Sequence, residues 1–120
     1  MTDPDVLLND GRRMPRFGFG VWQVAQADTR AVVRTALETG FRLIDTASGY
    51  GNEKEVGEAL RDGPTPRDDV FVTTKLRSSE HGYDQALRSF DTSMQLLGLE
   101  TLDLYLIHWP VPSQNQFVHT

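Results

Sequence analysis

The sequence predicts an α/β fold in which strands alternate with helices and pair in parallel through helical crossovers. Three observations predict it. Short β-branched or aromatic runs recur between amphipathic stretches of helical length. Connections of that length join parallel rather than antiparallel strands. Three predicted strands also end near an ionisable residue, Asp45, Lys75 and His108, spaced 30 and 33 residues apart, about one strand–helix unit each. A doubly wound sheet and a (β/α) barrel both accommodate this pattern.

The elements follow in order. Val6-Leu7-Leu8 and Arg12-Arg13-Met14-Pro15 flank Asn9-Asp10-Gly11, a hairpin signal whose turn needs positive φ. Arg16 through Trp22 is aromatic, bounded by glycine, and reads as a buried strand. Asp28 can cap a helix running to about Glu38, with Val32, Val33, Ala36 and Leu37 as its apolar face and Gly40 ending it. Phe41 to Thr46 reads as a strand, and Asn52 to Leu60 as a helix burying Val56, Ala59 and Leu60. Pro64 and Pro66 mark a loop. Val70 to Leu76 is a β-branched strand. Tyr83 to Leu97 is a third helix, with Leu87, Phe90, Met94 and Leu97 at helical spacing and Gly98 beyond its end. Leu102 to Trp109 is the last strand, stopped by Pro110 and Pro112.

Composition narrows the class. The 120 residues suffice for one domain, and 38% hydrophobic with 24% charged residues is a globular balance. No apolar run reaches the roughly 20 residues that span a membrane. The acidic start, Met1-Thr2-Asp3-Pro4-Asp5, is not a secretory signal. The absence of cysteine excludes disulfides and thiolate metal sites and fits a reducing, cytoplasmic setting. None of the three histidines has a metal-ligand spacing, so no metal is expected. A net charge of −5 argues against nucleic-acid binding.

The strand-end residues carry the chemistry. In either architecture the carboxyl ends of parallel strands converge on the ligand site. Each residue has a structural alternative: Asp45 capping a loop, Lys75 snorkelling, His108 bonded in the core. All three together at equivalent positions favour function, because ionisable groups are costly to bury unpaired. Tyr50 follows Asp45 within Ser48-Gly49-Tyr50-Gly51-Asn52, where its hydroxyl can enter the same mouth or simply pack on the loop. A free phenol, with a pKa of roughly 10, gives up its proton reluctantly near neutral pH. A lysine cation beside it favours the phenolate, and an aspartate keeps that lysine charged and placed. A histidine can hydrogen-bond a substrate oxygen. Such a set protonates a carbonyl oxygen as charge develops there. Reduction also needs a hydride that no side chain provides, which implies a nicotinamide cofactor.

These residues resemble the aldo-keto reductase family. Gly40-Phe41-Arg42-Leu43-Ile44-Asp45-Thr46-Ala47-Ser48-Gly49-Tyr50-Gly51-Asn52-Glu53, followed by Val56-Gly57 and Ala59-Leu60, is similar to its signature. Thr73-Thr74-Lys75-Leu76 resembles its lysine segment, and Asp103-Leu104-Tyr105-Leu106-Ile107-His108-Trp109-Pro110 its histidine segment. Leu8 to Gly11 and Met14 to Trp22 resemble its N-terminal hairpin and first strand. Gly18-x-Gly20 is not a dinucleotide fingerprint, since no third glycine and no helix follow.

The resemblance implies a (β/α)₈ barrel and reduction of aldehydes or ketones by NADPH, with NADH the alternative. It implies Tyr50 as proton donor, Lys75 and Asp45 as the groups that tune it, and His108 as the residue that orients substrate. It places Trp22 and Trp109 on the substrate pocket, with Trp22 and Asp45 also against the cofactor. Arg77 departs from several members, which carry a pocket aromatic two residues after the lysine. It either faces the pocket and favours polar or anionic substrates, or lies on the surface.

A full barrel takes about 250 residues. Residues 1–120 therefore correspond to its N-terminal half: the hairpin, about four strands and three helices. The expected partner is a small carbonyl compound, with neither nucleic acid nor membrane. The chain alone is expected to be inactive. The alternative is a non-catalytic half-barrel that self-associates or binds a partner through its open edges.

Overall fold

A computed structural model describes residues 3–120. Met1 and Thr2, which open the acidic N-terminal stretch, lie outside the described residues. The hairpin forms as expected. β1 (Asp5–Leu7) pairs antiparallel with β2 (Arg13–Pro15), with Val6 opposite Met14. The turn closes with Leu8 N–H donating to Arg12 O at 2.8 Å, and only Gly11 takes positive φ, +85°.

A four-stranded parallel sheet follows, in the order β3 (Phe19–Gly20), β4 (Leu43–Asp45), β5 (Phe71–Leu76), β6 (Leu104–Ile107). Helices α1 (Gln26–Thr39), α2 (Glu53–Asp62) and α3 (Tyr83–Leu97) connect them in turn. The strand order is sequential. Right-handed crossovers repeated in one direction place every helix on the same face of the sheet. Accordingly α1 packs on α2 and α2 on α3 in a single layer. A doubly wound sheet reverses direction and covers both faces. Of the two architectures open to the sequence, this is the barrel type.

The register divides the sheet into two faces. Ile44 lies beside Val72, and both are fully buried under the helices. They join Val33, Ala36 and Leu37 of α1, Val56, Ala59 and Leu60 of α2 and Leu97 of α3 in one apolar cluster. Each large aliphatic side chain there contributes about 1.5–3 kcal/mol by leaving water. By alternation, Asp45, Thr73 and Lys75 project from the opposite face, the one a closed barrel would enclose. Gly57 sets the α2–α3 distance: a Cβ there would stand 2.0 Å from the Leu97 carbonyl oxygen.

Several boundaries differ from expectation. The strand expected over Arg16–Trp22 is regular only at Phe19–Gly20, and Phe17 and Trp22 are exposed. Asp28 does not cap α1. The helix starts three residues earlier, behind Ala25, leaving Asp28 in its first turn, where a carboxylate meets the positive end of the helix dipole. Val32 is only partly buried. In α3 the buried stripe is Ser89, Ser93 and Leu97, while Leu87 is 53% exposed and Phe90 and Met94 are half-buried. The hydroxyls stand there because α3 faces two carboxylates: Ser93 Oγ donates to Glu53 of α2 at 3.2 Å, and Ser89 Oγ donates to Glu80.

Candidate active site

The site lies at the carboxyl ends of the parallel strands. Lys75, near the end of β5, projects its ammonium across the mouth to the end of β4. Its Nζ donates to Asp45 Oδ2 at 2.7 Å, to Thr46 O at 3.0 Å and to the Tyr50 hydroxyl oxygen at 3.4 Å. The Lys75 side chain is 13% exposed and that of Asp45 33%, so the pair is far less screened than a surface ion pair. Nζ also stands 5.2 Å from the centre of the Tyr50 ring.

Tyr50 ends a 3₁₀ turn, Ser48–Tyr50, between β4 and α2. The turn is tied to β5 by Ser48 Oγ donating to Lys75 O at 3.0 Å. Gly51, at φ +70°, then reverses the chain into α2, a conformation that glycine adopts without strain. His108 follows β6, with its N–H donating to Leu76 O at 3.0 Å. Its ring meets that of Tyr50 edge-to-face, centroids 5.6 Å apart, and stacks with that of Trp109 at 6.1 Å and 8°. Partial burial, reinforced by the Lys75 ammonium and opposed by Asp45, lowers the His108 imidazole from its ordinary 6.5. It is therefore neutral at pH 7.

The structure thus brings Tyr50, Lys75, Asp45, His108 and Trp109 together. Trp22 stands at the β3 end of the same mouth, 67% exposed, beside Val21, whose N–H donates to Asp45 O at 3.1 Å. Arg77 is exposed and donates to Ser48 O at 3.1 Å, on a 240 Å³ cavity shared with Glu53, Glu80 and Ser93. It covers the outside of the Tyr50 turn. Among the described residues, no three His, Asp or Glu side chains gather as a metal site, and no helix is long and apolar enough to cross a membrane.

Asn52 and Glu53, neither of them an expected site residue, prove to be central to the packing. Asn52 is fully buried and Glu53 3% exposed. Asn52 Nδ2 donates to Val21 O at 3.0 Å and Val24 O at 3.4 Å, and its Oδ1 accepts from Thr46 Oγ1 at 3.0 Å. The Glu53 carboxylate accepts from Thr74 Oγ1 at 2.7 Å and Ser93 Oγ at 3.2 Å. A polar pair opening a helix directly after a glycine was the available signal, but its partners lie 6 to 40 residues away.

Comparison with known proteins places this geometry. The sequence model described as the aldo/keto reductase family matches residues 15–117. An aldo-keto reductase of Mycolicibacterium smegmatis is 52% identical over 117 residues, covering 98% of this chain and 42% of the relative. Morphine 6-dehydrogenase of Pseudomonas putida is 44% identical, covering 98% and 40%. The crystal structure of an aldo/keto reductase from Brucella melitensis superposes with a TM-score of 0.93 at 49% identity, over 99% of this chain and 46% of that one. A Gox0644 mutant in complex with NADPH superposes at 0.91 and 42% identity, over 100% and 43%. The chain spans less than half the length of each of these proteins. The solved relatives are aldo/keto reductases whose barrel fold this sheet matches, and the chain belongs to the aldo/keto reductase family.

Proposed function

We propose that this chain carries the acid side of an NAD(P)H-dependent reductase of aldehydes and ketones, with Tyr50 as proton donor. The observation that carries the reading is the ammonium of Lys75, which reaches both Asp45 Oδ2 and the Tyr50 hydroxyl from a neighbouring strand. In this reading the Tyr50 O–H donates to the carbonyl oxygen of the substrate and its proton moves there as that oxygen gains charge. The Lys75 ammonium stabilises the negative charge left on the phenolic oxygen. Asp45 and Thr46 O hold the ammonium in place. His108, neutral at pH 7, has an imidazole N–H to donate to the same carbonyl oxygen and so orients the substrate. Trp109 and Trp22 flank the mouth as apolar walls.

The donor set fits a nicotinamide cofactor, since it offers a proton donor but no side chain able to give two electrons. When bound, the dinucleotide supplies the hydride. Trp22, with its exposed ring, and the partly exposed Asp45 are the residues here that would contact it. NADPH is the expected form, supported by the NADPH complex of the Gox0644 mutant, with NADH the alternative. The substrate is a small carbonyl compound, and the cysteine-free composition supports a reducing, cytoplasmic setting.

The test is Tyr50→Phe in a reductase containing this segment. Turnover should fall roughly 10²–10⁴-fold, the scale of general acid catalysis, with NADPH affinity nearly unchanged. Unchanged turnover removes Tyr50 from the role. For the 120 residues alone we expect weak NADPH binding and no useful turnover, and micromolar binding with Tyr50-dependent activity would contradict that. A second reading, self-association, has the support of β6, where Leu106 and Ile107 are 39% and 40% exposed on a strand paired on one side among the described residues. Sedimentation that stays monomeric as concentration rises would exclude it.

A further inference from the structure

We infer that Asn52 and Glu53 are positioning residues for the proposed acid site, a buried polar clamp that registers the Tyr50 turn against three strand ends. The inference rests on the reading of Tyr50 as the acid. Neither side chain reaches the mouth. Each acts through residues adjacent to those that do.

Asn52 lies two residues beyond Tyr50. Its amide joins the β3 end, through Val21 O and Val24 O, to the β4 end, through the Thr46 hydroxyl. Val21 and Val24 bracket Trp22 and Gln23, and Gln23 is held at φ +62°, a left-handed conformation costly for a non-glycine residue. The Asn52 amide binds the Val21 and Val24 carbonyls, at the two ends of this four-residue segment. Thr46 is the neighbour of Asp45, and its own carbonyl accepts from Lys75.

Glu53 follows at once and ties the same turn to β5 through Thr74, the residue before Lys75. Adjacent strand residues point to opposite faces, so Thr74 reaches Glu53 in the helix layer while Lys75 reaches Asp45 and Tyr50 in the mouth. Ser93 of α3 completes the carboxylate's partners. A carboxylate 3% exposed is costly to bury. At the first turn of α2 it is offset by the helix dipole and two hydroxyl donors. An apolar residue would fill that space without the desolvation cost. What the carboxylate adds is a fixed register between the turn bearing Tyr50 and the strand bearing Lys75.

The experiment is NMR of the 120-residue chain, reading the nuclear Overhauser contact between the Tyr50 ring and the Lys75 side chain, and the Trp22 indole N–H shift. Thr74→Val removes one hydroxyl at constant shape, and Glu53→Leu removes the carboxylate. Both should weaken the Tyr50–Lys75 contact in a folded chain, and Glu53→Gln should retain it. Asn52→Leu should move the Trp22 indole signal. Val56→Ala, a core truncation in the same helix, should lower the melting temperature while moving neither signal. The inference is overturned if Thr74→Val and Glu53→Leu leave the contact intact, or if Val56→Ala disturbs it equally. These readouts need no turnover, so a failed clamp and a failed assignment of Tyr50 as the acid are distinguishable.

Discussion

β5 and β6 are neighbouring parallel strands of similar character, Phe71-Val72-Thr73-Thr74-Lys75-Leu76 and Leu104-Tyr105-Leu106-Ile107, yet they occupy different environments. In β5 every residue but Lys75 is buried, whereas in β6 none is. β5 has a strand on each side and α2 and α3 across one face. β6 pairs only with β5 among the described residues. Residue type does not explain the contrast, since Leu106 and Ile107 are as apolar as Val72 and Leu76. Neighbours explain it. The difference extends to the site: Lys75 rides on the enclosed strand and is held by three oxygens, while His108 follows the edge strand and is held by one backbone bond and two aromatic faces.

The largest way to break this contrast is to open the layer that covers β5. Gly57→Ala should cost about 3 kcal/mol or more in denaturant unfolding, because the new methyl meets backbone at Leu97 rather than a movable side chain. A loss well under 1 kcal/mol would mean that α2 and α3 separate easily. Next, matched truncations sharpen the comparison. Val72→Ala on β5 should cost about 2 kcal/mol, and Leu106→Ala on β6 less than about 1, since it is already 39% exposed. Equal losses would show that β6 is enclosed in solution, as by a second copy.

Smaller effects read the two faces of β6. Tyr105 turns toward the helices, packs edge-to-face on Phe90, and has a hydroxyl without a partner among the described residues. Burial, followed by the Glu53 and Glu80 carboxylates, pushes its phenol up to about 12. A spectrophotometric titration should show one phenol ionising last, near pH 12, and Tyr105→Phe should remove that step. His108 follows the other face. Its imidazole is lowered from 6.5, so the folded state prefers the neutral ring more than the unfolded chain does. Its contribution to stability is therefore present above pH 6.5 and lost as pH falls through the lowered folded value. Proton NMR should find its midpoint below 6.5, and Lys75→Met should move it upward by removing the nearby cation.

Much of this was legible in the chain itself. Alternating strand and helix patterns located all three helices, and α3 ran from Tyr83 to Leu97 as read. Asp45, Lys75 and His108 were identifiable because they recur once per strand–helix unit, a spacing that survives without knowledge of packing. Tyr50 was a candidate from its glycine-flanked place just past a strand, which also fits packing on the loop, and its expected role as acid came from the family resemblance. These are local properties: propensity, period and the position of a residue relative to a strand end.

The remainder depended on distance in space. The strand expected over Arg16–Trp22 shrank to two residues because, among the described residues, β3 is paired only at Phe19 and Gly20, opposite Ile44 and Asp45. Hydrophobic period predicted Leu87 on the buried face of α3, whereas Ser89 and Ser93 are there instead. No local rule favours serine over leucine in a helix interface. The preference arises where α3 faces carboxylates: Ser93 donates to the buried Glu53 across 40 residues of sequence, and Ser89 donates to Glu80. The sequence by itself determined the alternation, the family resemblance and which residues are candidates for the site. Tertiary structure alone decided which faces close, which polar groups meet inside and how the Tyr50 turn is seated, because burial and hydrogen-bond partners belong to surfaces that exist only after the chain has folded.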